Sequence, residues 1–378
     1  MRKILSILLA ISIVYGCGKN DIQRTYFDNG RLKSEFNYID GIKDGLCHKW
    51  YENGQLESIG NYKEGVIITH EGWYDNGQIY YEATFKAGEK DGLYRKYHKN
   101  GQLYYKGHYI EGEKEGLFHK WYENGQLSDE KNYKTSLWSG VWTRWHKNGQ
   151  LKSIGNYTVG KREGVFKTWH KNGQLKSEFN YIEGIKDGLF KTWHENSELE
   201  STGNYKEGVI ITHEGWYDNG QIYYEATFKA GEKDGLYRKY YKNGQLHYKG
   251  HYKGGKKEGL FKTYQANGQL EFEGNYKYGE KDGLSKAYQA NGQLEFEGNY
   301  KYGEKDGLSK AYQDNGQLLY KANFKDGKKD GLFQKYHKNG QLYYEGQYIE
   351  GKKEGLFNIW DKKGQLKSEH KYSHGVKR

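Results

Sequence analysis

The sequence has 378 residues, a formal net charge of +11, 35% hydrophobic residues and 17% aromatic residues. This hydrophobic content lies below the roughly 45–50% typical of globular domains, so a conventional core of aliphatic side chains is not expected. Two cysteines leave no room for a disulfide framework. The absence of proline favours a sheet in which nearly every backbone N–H is hydrogen-bonded.

The N-terminal segment has the pattern of an export signal. Residues 1–16 begin with Met-Arg-Lys and continue into an apolar run that is too short to span a bilayer. The run ends in Val-Tyr-Gly-Cys, which resembles a bacterial lipobox. We predict that residues 1–16 are a signal peptide, that Cys17 is lipidated, and that residues 17–21 form a short tether. An ordinary signal peptide followed by an incidental cysteine is the alternative.

From residue 22 to residue 378 the sequence repeats one unit. Residues 97–103, Tyr-His-Lys-Asn-Gly-Gln-Leu, carry an Asn-Gly pair between aromatic and aliphatic residues, which is the strongest local signal of a β-hairpin. The turn glycine returns about every 24 residues, for example at Gly77 and Gly125, and a fixed period of this length indicates a repeat array.

Each unit has the pattern of two strands and two tight turns. Trp or Tyr precedes the turn glycine, Leu or Ile follows it, and a second glycine such as Gly112 comes later. An acidic-Gly-aliphatic triplet, as in residues 115–117, is expected to open the next strand. Connections too short for a crossover helix require antiparallel neighbours. The sequence therefore predicts an all-β fold, an elongated single-sheet array of about 15 antiparallel β-hairpin repeats.

The length of the Asn-Gly loop decides which residues share a face of the sheet. A two-residue loop would pair Tyr97 with Tyr104, whereas a three-residue loop with a left-handed Gly101 would pair Tyr97 with Leu103. We prefer the second choice for its cleaner alternation. It predicts that one face carries Leu93, Tyr97, Leu103, Tyr105 and Tyr109, with Gly107 among them, and that the other face carries Tyr94, Phe118 and Phe166.

Several units depart from the common pattern. Residues 66–69 and 209–212, Val-Ile-Ile-Thr in both places, occur in shortened units and predict local kinks or bulges. Ser197 replaces the turn glycine and predicts a strained or reshaped turn. Trp138 stands at a turn, where it either anchors a contact or covers the neighbouring sheet face.

Two long internal copies are also present. Residues 29–118 recur almost unchanged at 172–261, and residues 267–289 recur identically at 291–313. Copying of whole units suggests that the array changes length in steps, with its function spread over many equivalent sites.

The repeated elements Trp/Tyr-x-x-Asn-Gly-Gln-Leu, Asn-Tyr-x-x-Gly and Lys-Asp-Gly-Leu resemble those of the MORN-repeat variant family of bacteria, over residues 21–378. The resemblance implies a stack of β-hairpins that acts through protein or lipid contact. Some bacterial members are antitoxin-like, and others are secreted or surface proteins associated with host attachment. None of these roles follows from the spacing itself.

The sequence carries no pattern for catalysis or for a cofactor. It lacks a P-loop, a dinucleotide fingerprint, a Gly-x-Ser-x-Gly elbow and a His-Glu-x-x-His motif. His146, His170 and His194 share one column, but equivalent residues two strands apart are roughly 9.6 Å apart, and zinc ligands lie about 2 Å from one ion. Cys47 stands in an otherwise aromatic column as a small apolar filler. We expect no enzyme activity, cofactor or metal.

Binding through repeated aromatic side chains is the favoured function. Trp and Tyr often anchor interfaces, and lysine-rich turns would steer an acidic partner towards them. The alternative is that each ring only packs against the leucine of its own hairpin. The candidate binding surface consists of Trp121, Trp138, Trp142, Trp145, Trp169 and Trp193.

The predicted protein is a non-enzymatic lipoprotein of the cell envelope, at the outer membrane or cell surface. Its expected partners are a protein or an anionic glycan, together with the membrane through the lipid anchor, and no nucleic acid. The alternatives are a passive envelope scaffold and an antitoxin- or immunity-like partner of a toxin. The oligomeric state and the face that binds are left open.

Overall fold

The computed structural model describes residues 19–378, so that Cys17 and the predicted signal peptide lie outside the described residues. The chain divides into two compact units, one ending at Glu163 and one beginning at Gly164, and each is described by itself. All regular structure in residues 19–378 is β-strand. This part of the chain therefore contains no helix of the length and apolar character that a membrane crossing requires.

The first unit holds twelve complete strands in chain order. They are β1 (Asn20–Tyr26), β2 (Leu32–Ile39), β3 (Ile42–Trp50), β4 (Leu56–Lys63), β5 (Val66–Trp73), β6 (Ile79–Lys86), β7 (Glu89–Tyr97), β8 (Leu103–Ile110), β9 (Glu113–Trp121), β10 (Leu127–Lys134), β11 (Leu137–Trp145) and β12 (Leu151–Thr158).

The boundary between the units falls inside β13 (Lys161–Trp169). The strands that follow are β14 (Leu175–Ile182), β15 (Ile185–Trp193), β16 (Leu199–Lys206), β17 (Val209–Trp216), β18 (Ile222–Lys229), β19 (Glu232–Tyr240), β20 (Leu246–Lys253), β21 (Lys256–Tyr264), β22 (Leu270–Lys277), β23 (Glu280–Tyr288), β24 (Leu294–Lys301), β25 (Glu304–Tyr312), β26 (Leu318–Lys325), β27 (Lys328–Tyr336), β28 (Leu342–Ile349), β29 (Lys352–Trp360), β30 (Leu366–Ser373) and β31 (Val376–Lys377).

Within each unit every strand pairs antiparallel with the next one in the chain. The pairing runs from β1 through β12 in the first unit and from β13 through β31 in the second. Each unit is thus a meander of hairpins, and the predicted all-β class of antiparallel hairpin repeats is confirmed.

The Asn-Gly loop has three residues. In the hairpin of β7 and β8, the N–H of His98 donates to the carbonyl of Gln102 at 2.8 Å, and the N–H of Gly101 donates back to the carbonyl of His98 at 2.9 Å. Gly101 has a φ of +82°, which completes a type I turn with a left-handed glycine. Tyr97 pairs with Leu103, as the preferred three-residue alternative predicts.

A one-residue bulge follows this loop inside the same hairpin. The pairing passes from Tyr97 with Leu103 to Lys96 with Tyr105, so Tyr104 is the extra residue. Side chains alternate along a strand, and a single extra residue therefore reverses the alternation on one strand relative to its partner. Comparable register shifts recur in the later hairpins, for example at Thr263 and Tyr264.

The bulge makes the predicted assignment of faces wrong for Tyr105, Gly107 and Tyr109, whereas Leu93, Tyr97 and Leu103 share a face as predicted. Tyr105 and Tyr109 lie beside Tyr94, with ring centres 6.1 and 5.8 Å apart from it, whereas Leu93 points to the opposite side with its pairing partner His108. Phe118 also joins the tyrosines, and Phe166 likewise contacts Tyr181. We call the side with Tyr94, Tyr105, Tyr109, Phe118, Tyr133 and their equivalents the aromatic face, and the side with Leu93, Tyr97, Trp121 and their equivalents the mixed face.

The second turn of each 24-residue repeat has two residues. Glu111 and Gly112 both have positive φ, 50° and 80°, which defines a type I′ hairpin turn. The first turn residue is a non-glycine with positive φ in nearly every unit, as at Asp40, Glu64, Ala87, Thr135, Val159, Glu183, Glu207, Ala230, Tyr278, Tyr302, Asp326, Glu350 and His374.

Ser197 keeps the common loop shape instead of changing it. Its N–H donates to the carbonyl of His194 at 3.0 Å, and the N–H of His194 donates to the carbonyl of Glu198 at 2.9 Å, the same pair of bonds as in the glycine loops. The φ of Ser197 is 72°, a conformation that side chains with a Cβ disfavour. The turn is strained, as predicted, and it is not reshaped.

The acidic-Gly-aliphatic triplet lies within a strand and does not open it. In β3, Cys47 pairs with Phe36 and Lys43 pairs with Tyr38, so three residues, 44–46, stand opposite one. In the shortened unit, Asn61 pairs with Thr69 and Tyr62 with Ile67, which leaves a single extra residue. The predicted bulge in the shortened units is present, and it is smaller than the irregularity of the regular units.

The core is one layer of side chains on the aromatic face. Tyr109, Phe118 and Tyr133 form a buried cluster in the first unit. The ring of Phe118 lies so close to the backbone of Gly107 that a Cβ there would overlap it. The second unit repeats this arrangement with Phe261 over Gly250, and again with Phe357 over Gly346, so the glycine gives each ring its place on the sheet.

Side-chain ladders tie successive hairpins together at both edges of the sheet. At the Asn-Gly edge, the side-chain amide of Asn100 donates to the carbonyl of Glu123 at 2.8 Å. At the other edge, Asp91 accepts from the N–H of Glu111 at 3.2 Å. The asparagine contact recurs at Asn53, Asn76, Asn124, Asn172, Asn196, Asn219, Asn243, Asn315 and Asn339.

Candidate binding site

A column of lysines lies over the rings of the aromatic face. The ammonium group of Lys114 is 4.9 Å from the ring centre of Tyr133 and 5.5 Å from that of Phe118, which is cation–π distance. We call these residues the lysine column; it comprises Lys43, Lys90 and Lys114 in the first unit and Lys186, Lys233, Lys257, Lys281, Lys305, Lys329 and Lys353 in the second.

Only some of the lysines that were expected in the turns extend away from the sheet. In the sequence Lys-Lys at 256–257, Lys256 is exposed, whereas Lys257 lies 5.1 Å from the ring centre of Phe261 and 4.7 Å from that of Tyr276. The same division separates Lys328 from Lys329. One lysine of each pair therefore belongs to the aromatic face and its neighbour to the edge.

The lysine column concentrates positive charge in a partly dry setting. Burial lowers the pKa of Lys114, and the neighbouring Lys90 lowers it further. Burial also lowers the pKa of Lys257, with Lys281 as the second cause, and the same two causes, burial and Lys281, act on Lys305. An anion placed over these ammonium groups would oppose both effects, because it would supply the missing counter-charge.

The aromatic face of the first unit contains a recess of about 430 Å³. Five lysines and one aspartate contribute to its wall, together with aromatic rings. The lining residues are Lys90, Tyr94, Lys96, Tyr104, Tyr105, Tyr109, Lys114, Phe118, His119, Lys120, Asp129, Lys131 and Tyr133.

Two of the proposed tryptophans lie outside the lining of this recess and pack against one of its lysines, Lys131. Trp138 and Trp142 are in contact, with ring centres 5.3 Å apart, and the ammonium group of Lys131 lies 4.8 Å from the ring of Trp142. Asp129 is 3.8 Å from Lys131 and 3.2 Å from Arg144. Burial is the largest cause that lowers the pKa of Lys131, Asp129 opposes it, and Arg144 adds to it.

The other tryptophans lie on the mixed face. Trp121 pairs with Leu127 and stacks on His119 at 5.6 Å, and Trp145 pairs with Leu151. In the second unit Trp169 and Trp193 likewise pair with leucines. The six candidate residues therefore do not form one surface within the first unit, and the four of the repeating column each face the leucine of their own hairpin. All six are half-buried.

Several charged residues of the mixed face form ion pairs. Glu82 accepts from Arg95 at 3.1 Å and from the hydroxyl of Tyr97 at 2.9 Å. Comparable pairs join Arg238 to Glu225, Lys262 to Glu273 and Lys310 to Glu297. An exposed apolar column accompanies them, in which Leu117 is 53% exposed. Carboxylates therefore offset part of the positive charge on the mixed face.

Sequence reasoning missed the lysine column as a functional feature. The available signal was the recurrence of lysine four residues before the aromatic of the Phe118 column, as in Lys90 with Tyr94 and Lys114 with Phe118. Within residues 19–378, no group of three or more His, Cys, Asp or Glu is placed to hold a metal ion. Cys47 is buried and free, in keeping with its expected role as a small filler.

Tandem antiparallel hairpins joined by edge ladders define a β-hairpin repeat protein. The model of the MORN repeat variant family matches fourteen segments of the chain, which together make up well over half of it. They are residues 22–40, 43–64, 68–87, 90–111, 114–135, 138–158, 162–183, 186–207, 211–230, 233–253, 257–278, 281–302, 305–326 and 329–350. The chain belongs to the MORN repeat variant family.

Solved structures share only a distant likeness with the chain. One, described as the crystal structure of TcdB2-TccC3-Cdc42, is 11% identical with a TM-score of 0.17, over 90% of this chain and 24% of that one. Another, of TcdB2-TccC3, is 13% identical with a TM-score of 0.16, over 93% and 23%. The chain thus spans about a quarter of the length of these structures. No curated protein matches the sequence.

Proposed function

We propose that this chain is a non-enzymatic repeat lipoprotein of the cell envelope that binds an anionic glycan along its aromatic face. The observation that carries the proposal is the lysine column, in which ammonium groups recur over aromatic rings, as with Lys329 at 3.9 Å from the ring centre of Phe333. Cationic groups attract the acid groups of such a polymer, and exposed parts of the rings offer flat surfaces to its sugars.

A repeating partner suits a repeating surface. Equivalent lysines lie two strands apart, roughly 9.6 Å in an ideal sheet. An extended polymer would therefore meet a new ammonium group at each successive hairpin repeat. Each contact is weak on its own, because exposed charges are screened by water and salt. Many contacts along one chain raise the overall affinity through effective concentration.

A protein partner is the second candidate. The exposed apolar column of the mixed face favours it, since Leu189 is 68% exposed and Leu356 is 52% exposed. Rows of apolar side chains on a soluble surface are typical of protein contacts. A partner of this kind would occupy the face opposite to the lysine column.

Neighbouring lysine pairs provide the test. One variant replaces Lys257, Lys329 and Lys353 by glutamine, and the control replaces the adjacent exposed residues Lys256, Lys328 and Lys352, so that both lose the same charge. We expect binding to immobilised polygalacturonate to weaken about tenfold in the first variant, an energy of about 1.4 kcal/mol. The control should change it much less.

The outcomes separate the alternatives. Equal weakening in both variants would show that only the diffuse net charge matters and would overturn a site on the aromatic face. No binding of the unaltered protein to polygalacturonate would overturn the glycan proposal. Retention of a protein partner that depends on Leu189 and Leu356 would then support the second candidate.

The membrane anchor has a separate test. Cys17→Ser should move the protein from the membrane fraction to the soluble fraction, since a buried lipid chain contributes about 0.8 kcal/mol per CH₂. Cys47→Ala is the matched control, because Cys47 is buried within the sheet and should not affect anchoring. Membrane retention of the Cys17 variant would overturn the proposed lipid anchor.

A further inference from the structure

We propose that the recess on the aromatic face of the first unit is a discrete binding site for an acidic sugar of one or two residues that carries carboxylate or sulfate groups. The site rests on the proposed function in taking the partner to be an anionic glycan. It goes further by assigning a single place, around Lys114 and Lys131, where one acidic segment of that glycan is held.

The size and the walls of the recess suit a sugar. Its volume of about 430 Å³ falls within the range of small-molecule sites. Tyr94 and Tyr105, both half-buried, contribute aromatic surface, on which the C–H faces of a sugar ring can stack. Tyrosine hydroxyls in the wall can exchange hydrogen bonds with sugar hydroxyls.

The charge of the recess calls for an anion. Five lysines line it against one carboxylate, that of Asp129. Among the ion pairs of residues 19–378, Asp129 lies within reach of Lys131 and also of Arg144 outside the lining. Its single charge is therefore shared between two cations, and the remaining lysines of the lining have no carboxylate within ion-pair distance.

The ammonium groups are held in place before any ligand arrives. Lys114 lies over Tyr133 at 4.9 Å, and Lys131 lies over Trp142 at 4.8 Å. Lys120 lies over Tyr104 at 5.1 Å. Side chains already restrained by ring contacts lose less conformational freedom on binding. Burial lowers the pKa of both Lys114 and Lys131, and a bound anion would relieve that unfavourable setting.

The second copy shows what is special about the first. The second copy keeps the lysine column and most of the tyrosines, although His247 stands in place of Tyr104, and beyond residue 261 the sequences diverge further. Lys120 pairs with Asp129 in the first unit, whereas Thr263 pairs with Phe272 in the second. Phe118 pairs with Lys131, whereas Phe261 pairs with Gly274.

The part of the second unit that corresponds to the recess therefore lacks two of its five lysines, those equivalent to Lys120 and Lys131. It also places a phenyl ring, Phe272, where the first unit has the carboxylate of Asp129. The same scaffold is thus present twice in the chain, and only the first unit carries the complete set of charged groups. We therefore expect one site per chain.

The test uses calorimetric titration of the purified protein with digalacturonate and with its neutral dimethyl ester. We expect one digalacturonate to bind per chain and the dimethyl ester to bind at least about tenfold more weakly, a difference of about 1.4 kcal/mol. Lys131→Gln and Lys120→Thr should each weaken digalacturonate binding several-fold. Thr263 shows that threonine is compatible with this position of the hairpin.

The matched control is Lys106→Gln. Lys106 lies in the same hairpin, but its pairing with Arg95 and His119 places it on the mixed face. The Lys106→Gln substitution removes the same charge as Lys131→Gln and should leave digalacturonate binding unchanged. Thermal unfolding followed by circular dichroism verifies that each variant is folded. If Lys131→Gln alone disturbs folding, Lys120→Thr still tests the site.

Three results would overturn the site. They are equal weakening by Lys106→Gln, equal binding of the dimethyl ester, or several digalacturonates bound per chain. If the variants at Lys120 and Lys131 lose digalacturonate but polygalacturonate binding is distributed as proposed, both proposals stand. If the protein binds polygalacturonate but not digalacturonate at the recess, only the proposed single site is overturned. If it binds digalacturonate but not polygalacturonate, the single site stands and the proposed distributed binding is overturned.

Discussion

The two internal copies share a scaffold and differ in what is placed on it. In the first copy, the ring centres of Tyr109 and Phe118 are 5.4 Å apart, and in the second the corresponding distance from Tyr252 to Phe261 is 5.5 Å. The ring layer, the bulges and the loops are reproduced, although the residues that follow each copy differ. Backbone geometry therefore depends on ring, glycine and turn positions, and binding chemistry is free to vary at the positions between them.

The largest expected effect is alkaline unfolding of both copies together. Burial is the main cause that raises the pKa of Tyr81 and of its counterpart Tyr224 to about 12, above the unfolded value of about 10. Below pH 10 these hydroxyls are neutral in both states, and their stabilising contribution is complete. As the pH rises through about 10 to 12 the unfolded state ionises first, so the free energy of unfolding falls.

Hydrogen exchange during an alkaline titration measures this effect for each copy separately. The lysine column acts in the opposite direction, because a lowered lysine pKa adds stability as the pH rises, and a rise in protection before the fall would reveal it. Loss of protection in one copy at a pH well below the other would show that the shared scaffold is not equally stable in the two.

The next effect in size tests the ring layer. Phe118→Ala and Phe261→Ala each remove a buried ring, 2% and 1% exposed, and should each lower the local free energy of unfolding by about 3–5 kcal/mol. Local hydrogen exchange is the suitable measurement, since hairpins of a repeat array open without the whole chain unfolding. An effect in only one copy would contradict the equivalence of the two scaffolds.

The smallest effect comes from a difference between the copies. Ser197 stands where the first copy has Gly54, and both have positive φ, 72° and 87°. Ser197→Gly should stabilise its loop by about 1 kcal/mol, because glycine adopts this conformation without Cβ strain. The substitution also removes the exposed hydrogen bond from the Ser197 hydroxyl to Gln174, which contributes little to stability.

Gly54→Ser provides the reverse comparison. No atom lies within 4 Å of a Cβ placed at Gly54, so backbone strain is the only expected penalty. Thermal melts of the two variants should shift in opposite directions. A shift of the same sign in both would show that the hydroxyl contact of Ser197 outweighs the strain.

The hairpin could be predicted from the sequence because its cause is local. The Asn-Gly pair, the short spacing and the glycine at φ +82° all act within a few residues of Gly101. The assignment of faces could not be predicted in the same way, because one extra residue, Tyr104, reverses an entire strand. The adjacent aromatics Tyr104 and Tyr105 were the only local sign, since strict alternation cannot bury both.

The recess escaped prediction for a different reason. It depends on residues from β7, β8, β9 and β10, and on which side each strand presents after its bulge. Lys120 and Lys131 are unremarkable in the sequence, because lysine occurs in many of the columns. Only the pairing register brings them to the same face as Lys114.

The asparagine ladder bears on how such a chain can lengthen over evolution. Asn100 supplies the donor for the carbonyl of Glu123 in the following hairpin, and Asn124 does the same for Lys147. A tandem gene duplication of whole periods recreates donor and acceptor at every new junction, whereas an insertion of any other length leaves one of them unmatched. The identical segments 267–289 and 291–313 have the form expected of such a duplication, in which the hydrogen-bonding edge acts as a reading frame for growth.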